Sequence, residues 1–128
     1  MREWVLLEFL AGHVGVTALR RDLRGDTPAA LPVPAPPADL ELELLPHHLL
    51  RLCDAVLDRE LDAALLGPIA GWLRTSTRFR RRADDPDGRV VQEVLDAWSS
   101  AARGPLDPET VSVYRRWVVT RRNPFPST

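Results

Sequence analysis

Residues 49–73 read LLRLCDAVLDRELDAALLGPIAGWL, and this stretch decides the fold class. Leu49, Leu52, Cys53 and Val56 fall on one stripe at helical spacing, and Leu66, Ile69, Ala70 and Leu73 repeat the pattern one segment later. Between the stripes, Leu61 precedes Asp62, a strong helix N-cap, and Leu66 closes the set. An apolar residue before the cap can pack on one a turn inside the helix, which staples the chain and fixes its entry angle. The spacing therefore predicts helices over 46–58 and 63–74, joined by a tight stapled turn. Pro46 occupies a favoured first helical position.

Working outward, the device recurs. Val14 precedes Gly15 with Leu19 following, and Leu106 precedes Asp107 and Pro108 with Val111 following. Further helices are expected over 2–11, 16–24, 88–101 and 108–121, each with an apolar stripe and an opposing polar face. The expected architecture is all-α: a single-domain helical bundle of five to six short helices spanning 1–128. Residues 1–25 form its N-terminal helical hairpin and residues 46–121 its main bundle. Residues 27–38, TPAALPVPAPPA, hold five prolines and read as an extended, semi-rigid connector between the two. LELEL at 40–44 alternates with period two, which is strand-like. Its only visible pairing candidate is WVLLEFL at 4–10. A strap across the bundle and an edge offered to a partner both remain open.

Composition narrows the function classes. A chain of 128 residues with 45% apolar content is enough for one compact core. Cys53 is the one cysteine, so no intramolecular disulfide and no cysteine-based metal site can form. There is no lysine, so every basic side chain besides histidine is an arginine; with one Asn, one Gln and one Ile, this usage suggests a GC-rich bacterial genome. No run of 18 apolar residues exists, so no membrane span is expected. The opening MREWVLLEFLAGH fails as a signal peptide because Glu3 and Glu8 interrupt it, and a cytoplasmic location is expected. The net charge of −1 hides an asymmetry. Residues 1–64 carry six arginines against eleven acids, a balance of −5; residues 65–128 carry eleven against seven, a balance of +4.

Residues 74–89, RTSTRFRRRADDPDGR, hold the most conspicuous candidate site. Arg74, Arg78, Arg80, Arg81 and Arg82 could bind phosphates bidentately, with Phe79 stacking on a base. Arg115, Arg116, Arg121 and Arg122 would extend such a surface. Asp84, Asp85 and Asp87 follow at once and would repel a nucleic-acid backbone, and the pI near 6.3 is low for a nucleic-acid domain. The run also falls where a helix ends, where cations are favourable for dipole reasons alone. A loop, cap or protein contact is the favoured reading.

The remaining candidates are acidic, aromatic and thiol groups. Asp54, Asp58 and Glu60 could form a patch for a basic partner, with Asp62 reserved as a cap. His47 and His48 are adjacent, so they point about 100° apart on a helix and cannot clamp one metal. His13 lies alone in a turn. Cys53 reads as a core residue. Of four tryptophans, Trp98 and Trp117 fit core stripes, whereas Trp72 stands off its helix's apolar line and is the best exposed anchor. No nucleophile–base pair and no ligand cluster is discernible, so no catalysis, cofactor or metal is expected.

The segment quoted at the outset, followed by VVQEVLDAWSS and GPLDPETVSVYRRWV, resembles small helical proteins of bacteria. FLAGHVGVTALRRDL at 9–23 is similar to the opening helical hairpin of colicin-type immunity proteins. Gly15 and Arg59 depart from that pattern, where a hydroxyl or acidic cap and a helix-terminating glycine would stand. The resemblance implies a small protein that binds and neutralises another protein. Three functions follow in order: an immunity-like or antitoxin-like protein-binding module centred on Trp72, Arg78, Arg80, Arg81 and Arg82 or on Asp54, Asp58 and Glu60; an accessory or adaptor subunit of a larger assembly, attached by the proline segment or LELEL; and a weak nucleic-acid binder.

Overall fold

A computed structural model describes residues 3–12, 15–23, 41–76, 79–82, 84–100 and 106–124. Six α-helices account for most of them: α1 Glu3–Leu10, α2 Val16–Leu23, α3 Pro46–Leu57, α4 Leu66–Thr75, α5 Pro86–Ser100 and α6 Pro108–Thr120. Two short strands, β1 Leu42–Glu43 and β2 Phe79–Arg80, pair in parallel. The class is all-α, as the helical periodicities imply. The proline-rich connector, His13 and Val14 of the first staple, and Arg78 lie outside the described residues.

The packing runs in pairs. Helix α3 packs chiefly on α6, α4 on α5, and α1 on α2, while α5 also touches α3 and α6. One apolar core joins them, built from Leu6, Phe9, Leu49, Leu52, Ile69, Leu73, Val94, Trp98, Tyr114 and others. At its centre the Trp98 and Tyr114 rings meet edge to face at 6.0 Å, and Tyr114 stacks near Trp117 at 6.1 Å. Helix α1 departs from the expected amphipathic form. All six residues from Val5 to Leu10 are buried, Glu8 included. An apolar run with no polar stripe can only be accommodated inside the molecule.

The stapled turns take the forms the caps dictate. Asp62 Oδ1 accepts from the Ala64 N–H at 3.0 Å, and Leu61 and Leu66 are both buried in the core. The helix expected over 63–74 is split, however. Ala63–Leu65 form a 3₁₀ turn before α4 begins at Leu66. Pro68 has no N–H to give the Ala64 carbonyl, and its ring would crowd that carbonyl in a continuous α-helix. At the third turn Asp107 caps α6 through Thr110 N–H at 2.7 Å, which holds the Asp107 carboxyl below its usual pKa, and Pro108 stands at the first helical position. Helix α5 starts two residues earlier than expected. Pro86 opens it, with Asp85 Oδ1 accepting from Asp87 N–H at 3.1 Å. The Asp-Pro pair at 85–86 is the same signal as at 107–108, hidden in the sequence by the neighbouring charges.

Helix α3 ends on an unexpected residue. Arg59 adopts φ 61°, the left-handed conformation that usually selects glycine. Arg59 N–H bonds the Val56 carbonyl at 3.0 Å and Glu60 N–H the Ala55 carbonyl at 2.9 Å, the two bonds of a Schellman ending. The absence of glycine at 59 thus does not prevent a glycine-type stop.

The start of α3 carries a pH-sensitive contact. His48 is only 4% exposed, and its Nδ1 accepts from the Leu45 backbone N–H at 2.9 Å, the part a Glu or Gln plays in a capping box. Burial, reinforced by the adjacent His47, lowers the His48 pKa to about 4 from 6.5. Between those values the unfolded chain binds a proton that the folded chain refuses, so stability is full above pH 6.5 and falls as the pH drops toward 4. Wild type should lose on the order of 1 kcal/mol more than His48→Gln between pH 7 and pH 5. Urea melts at the two pH values check this; equal losses would remove His48 as the titrating cap.

Candidate functional site

The described part of the arginine run, Arg80 to Arg82, forms a strand and a helix cap. Leu42 pairs with Phe79 and Glu43 with Arg80, and Leu44 N–H bonds the Arg80 carbonyl at 2.7 Å. This corrects the expectation that LELEL had only WVLLEFL as a pairing candidate; that segment lies in α1, and the partner strand sits inside the arginine run. Period-two alternation sorts the side chains. Leu44 and Phe79 turn into the core, while Glu41, Glu43, Arg80 and Arg82 face outward. The outward set forms two cross-strand ion pairs, Arg80–Glu41 at 3.0 Å and Arg82–Glu43 at 2.7 Å. Arg81, on the inward phase, gives its guanidinium to the end of α4. It donates to the Leu73 carbonyl at 2.6 Å, the Arg74 carbonyl at 3.3 Å and Gln92 Oε1. Arg74 in turn pairs with Asp96 at 2.8 Å and donates to Ser99 at 2.7 Å, tying α4 to α5.

The same use of arginine recurs at other helix ends, where unpaired carbonyls and the negative end of the dipole favour a cation. Arg51 reaches from α3 to the Phe9 carbonyl at 2.7 Å, with its guanidinium 4.5 Å from the Phe9 ring centroid. Arg121, also left-handed at φ 61°, donates to the Val118 and Val119 carbonyls and pairs with Asp87 at 2.8 Å on the first turn of α5. Arg20 donates to the Glu60 carbonyl at 3.2 Å. A chain without lysine thus uses the arginine fork as a bracket between elements.

Of the acidic candidates, Asp54 pairs with Arg115 at 2.7 Å and links α3 to α6. Asp58 and Glu60 are exposed, and neither carboxylate has a partner among the described residues. Both border an open trough of about 630 Å³ with Phe9, Val16, Leu50, His47 and Arg51 among its walls. A second depression, of about 770 Å³, adjoins it through Glu60 and runs past Arg20, Arg59, Leu61 and Leu65 to Leu106 and Pro108. These two troughs were not visible in the sequence, because their walls come from four separate segments.

Trp72 lies elsewhere, 37% exposed on α4. Ala64, Pro68, Gly71, Trp72 and Thr75 share one side of α4 and its lead-in turn, and none is charged; Arg74, the exposed charged residue of α4, is turned to Asp96 and Ser99 of α5. Thr75 Oγ1 satisfies itself on the Gly71 carbonyl at 2.8 Å. Arg81 binds the carbonyls of the two residues after Trp72, so the structure brings Trp72 and the arginine strand together at one end of α4. It sets Asp54, Asp58 and Glu60 apart, against α1 and α2. Trp98 and Trp117 are buried.

Burial, with the Asp54 charge beside it, pushes the Cys53 thiol up to about 12, so it holds its proton at neutral pH. The His47 and His48 rings sit 4.0 Å apart, with His48 committed to the Leu45 N–H. Among the described residues no group of three or more His, Cys, Asp or Glu side chains is placed to hold a metal ion, and no helix is long and apolar enough to cross a membrane. Comparison with protein-family models, curated proteins and solved structures finds no match.

Proposed function

We propose that this protein is a non-catalytic binding module that docks and neutralises a partner protein, in the immunity-like or antitoxin-like manner, through the face of α4 around Trp72. One observation carries the reading. Trp72 exposes its ring on a helix face that bears no charge, in a chain where 27% of residues are charged. The outward sides of α3, α5 and α6 carry Asp54, Glu93 and Arg116. A large exposed aromatic on an uncharged surface is the composition of an interface centre. The arginine strand supports this role indirectly, since Arg81 binds the C-terminal carbonyls of α4 while Arg80 and Arg82 hold its strand to the β1 segment through Glu41 and Glu43.

The test is capture of the partner from the native host with the tagged protein, then binding kinetics on variants. Trp72→Ala should weaken the complex by about 2 kcal/mol or more, roughly thirtyfold, mainly through faster dissociation. Its denaturation midpoint should stay near wild type, because a partly exposed ring leaves no closed cavity. An unfolded variant, or one that binds as wild type does, would remove Trp72 from the interface.

A further inference from the structure

We infer that the protein associates with a second copy of itself, seating the outer face of the α6 C-terminus in the trough bordered by Asp58 and Glu60. Val119 is the most exposed large apolar side chain among the described residues, at 50%. Arg116 lies three positions before it on the same helix face, and Arg122 follows the turn at Arg121. Their immediate neighbours are committed: Arg115 to Asp54 and Arg121 to Asp87. Arg116 and Arg122 themselves have no side-chain partner among the described residues, and both are exposed. The end of α6 therefore presents an exposed apolar residue with Arg116 on the same helix face and Arg122 just beyond the helix, neither of them ion-paired among the described residues.

The trough is its counterpart. Phe9, Val16 and Leu50 supply apolar wall, Asp58 and Glu60 supply two carboxylates without an ion-pair partner among the described residues at the border, and the Arg51 guanidinium in the wall is committed to the Phe9 carbonyl. Two cations with an apolar centre face two anions with an apolar hollow, which is the complementarity that selects a partner and its register. The pieces cannot meet within one molecule as built. Arg115 holds the middle of α6 on the middle of α3, and Leu106 and Pro108 lie beside Arg59 and Leu61 at the C-terminal end of α3, so the helices run antiparallel. The free end of α6 accordingly points toward the start of α3, away from Asp58. A second copy supplies what the first cannot reach. The contact is small, so the association is weak and salt-sensitive.

Sedimentation velocity on the whole chain tests this. Wild type should show reversible association that weakens by about tenfold or more between low and high salt. Asp58→Arg/Glu60→Arg and Arg116→Glu/Arg122→Glu should each be monomeric. Mixed together, the two reversed proteins should associate again, because their altered surfaces now complement one another. If circular dichroism shows either reversed protein unfolded, Asp58→Asn/Glu60→Gln and Val119→Ser take their place, each expected to weaken association about tenfold. A wild-type monomer at millimolar concentration and low salt, association unchanged in the variants, or failure of the mixture to associate would each overturn the inference. Trp72→Ala should leave self-association unchanged, so this result stands or falls separately from the partner-binding face on α4.

Discussion

Gly88→Ala should be the most damaging glycine-to-alanine substitution among the described residues, costing about 3 kcal/mol. Gly88 sits in the first turn of α5 and is buried. A Cβ there would overlap the carbonyl oxygen and carbon of Arg82. The obstacle is backbone, so no rotamer change relieves it. Overpacking commonly costs about 1–3 kcal/mol, and a collision with main chain belongs at the top of that range or above it. Either α5 must shift from α4, or the strand end at Arg82 must lift and break the Arg82–Glu43 pair. In an exposed helix the same change would stabilise by up to about 1 kcal/mol. The sign of the effect therefore reports whether the arginine segment lies on α5. Chemical denaturation of Gly88→Ala, with Gly71→Ala as a control at a glycine with open space around it, gives the comparison.

Leu61→Ala should cost about 2–5 kcal/mol, the range for a buried leucine. Leu61 is 4% exposed and belongs to the core, and it precedes the Asp62 cap that launches the 3₁₀ turn and α4. Truncation removes apolar contact and loosens the turn that orients the α4–α5 pair against α3. Leu106, in the equivalent place before Asp107, is only partly buried, so Leu106→Ala should cost less, about 1–2 kcal/mol. Denaturant midpoints would reveal the order. Losses below about 0.3 kcal/mol at both sites would mean that neither turn is stapled.

These sites illustrate what one-dimensional patterns can carry. The stripes at Leu49–Val56, Leu66–Leu73 and Val91–Trp98 were legible because a helix repeats every 3.6 residues and burial selects one side of it. Asp62 and Asp107 were legible as caps because capping is local. The β1–β2 pair was not, since its strands are separated by α3 and α4. Its signal was present in two halves: LELEL, and the alternation of Phe79 and Arg81 with Arg80 and Arg82. Each half is short, and five closely spaced arginines suggest a charge patch before they suggest a strand. The role of Arg81 depends on where α4 ends relative to α5, which no spacing rule supplies. Trp72 was legible as an exposed residue by its position off the apolar line. The troughs were not, because Phe9, Leu50 and Leu106 meet only after the helices pack.

Arg80, Arg81 and Arg82 are committed within the fold, and we propose that they do not read a phosphate backbone. Titration of labelled single- and double-stranded DNA and RNA at physiological salt tests it most directly, on wild type and on Arg80→Ala/Arg82→Ala. The expected result is binding no tighter than the nonspecific range, roughly 10⁻⁴ to 10⁻⁶ M, and little changed by the substitutions. Nanomolar affinity that collapses in the double variant, with its fold intact, would contradict the claim.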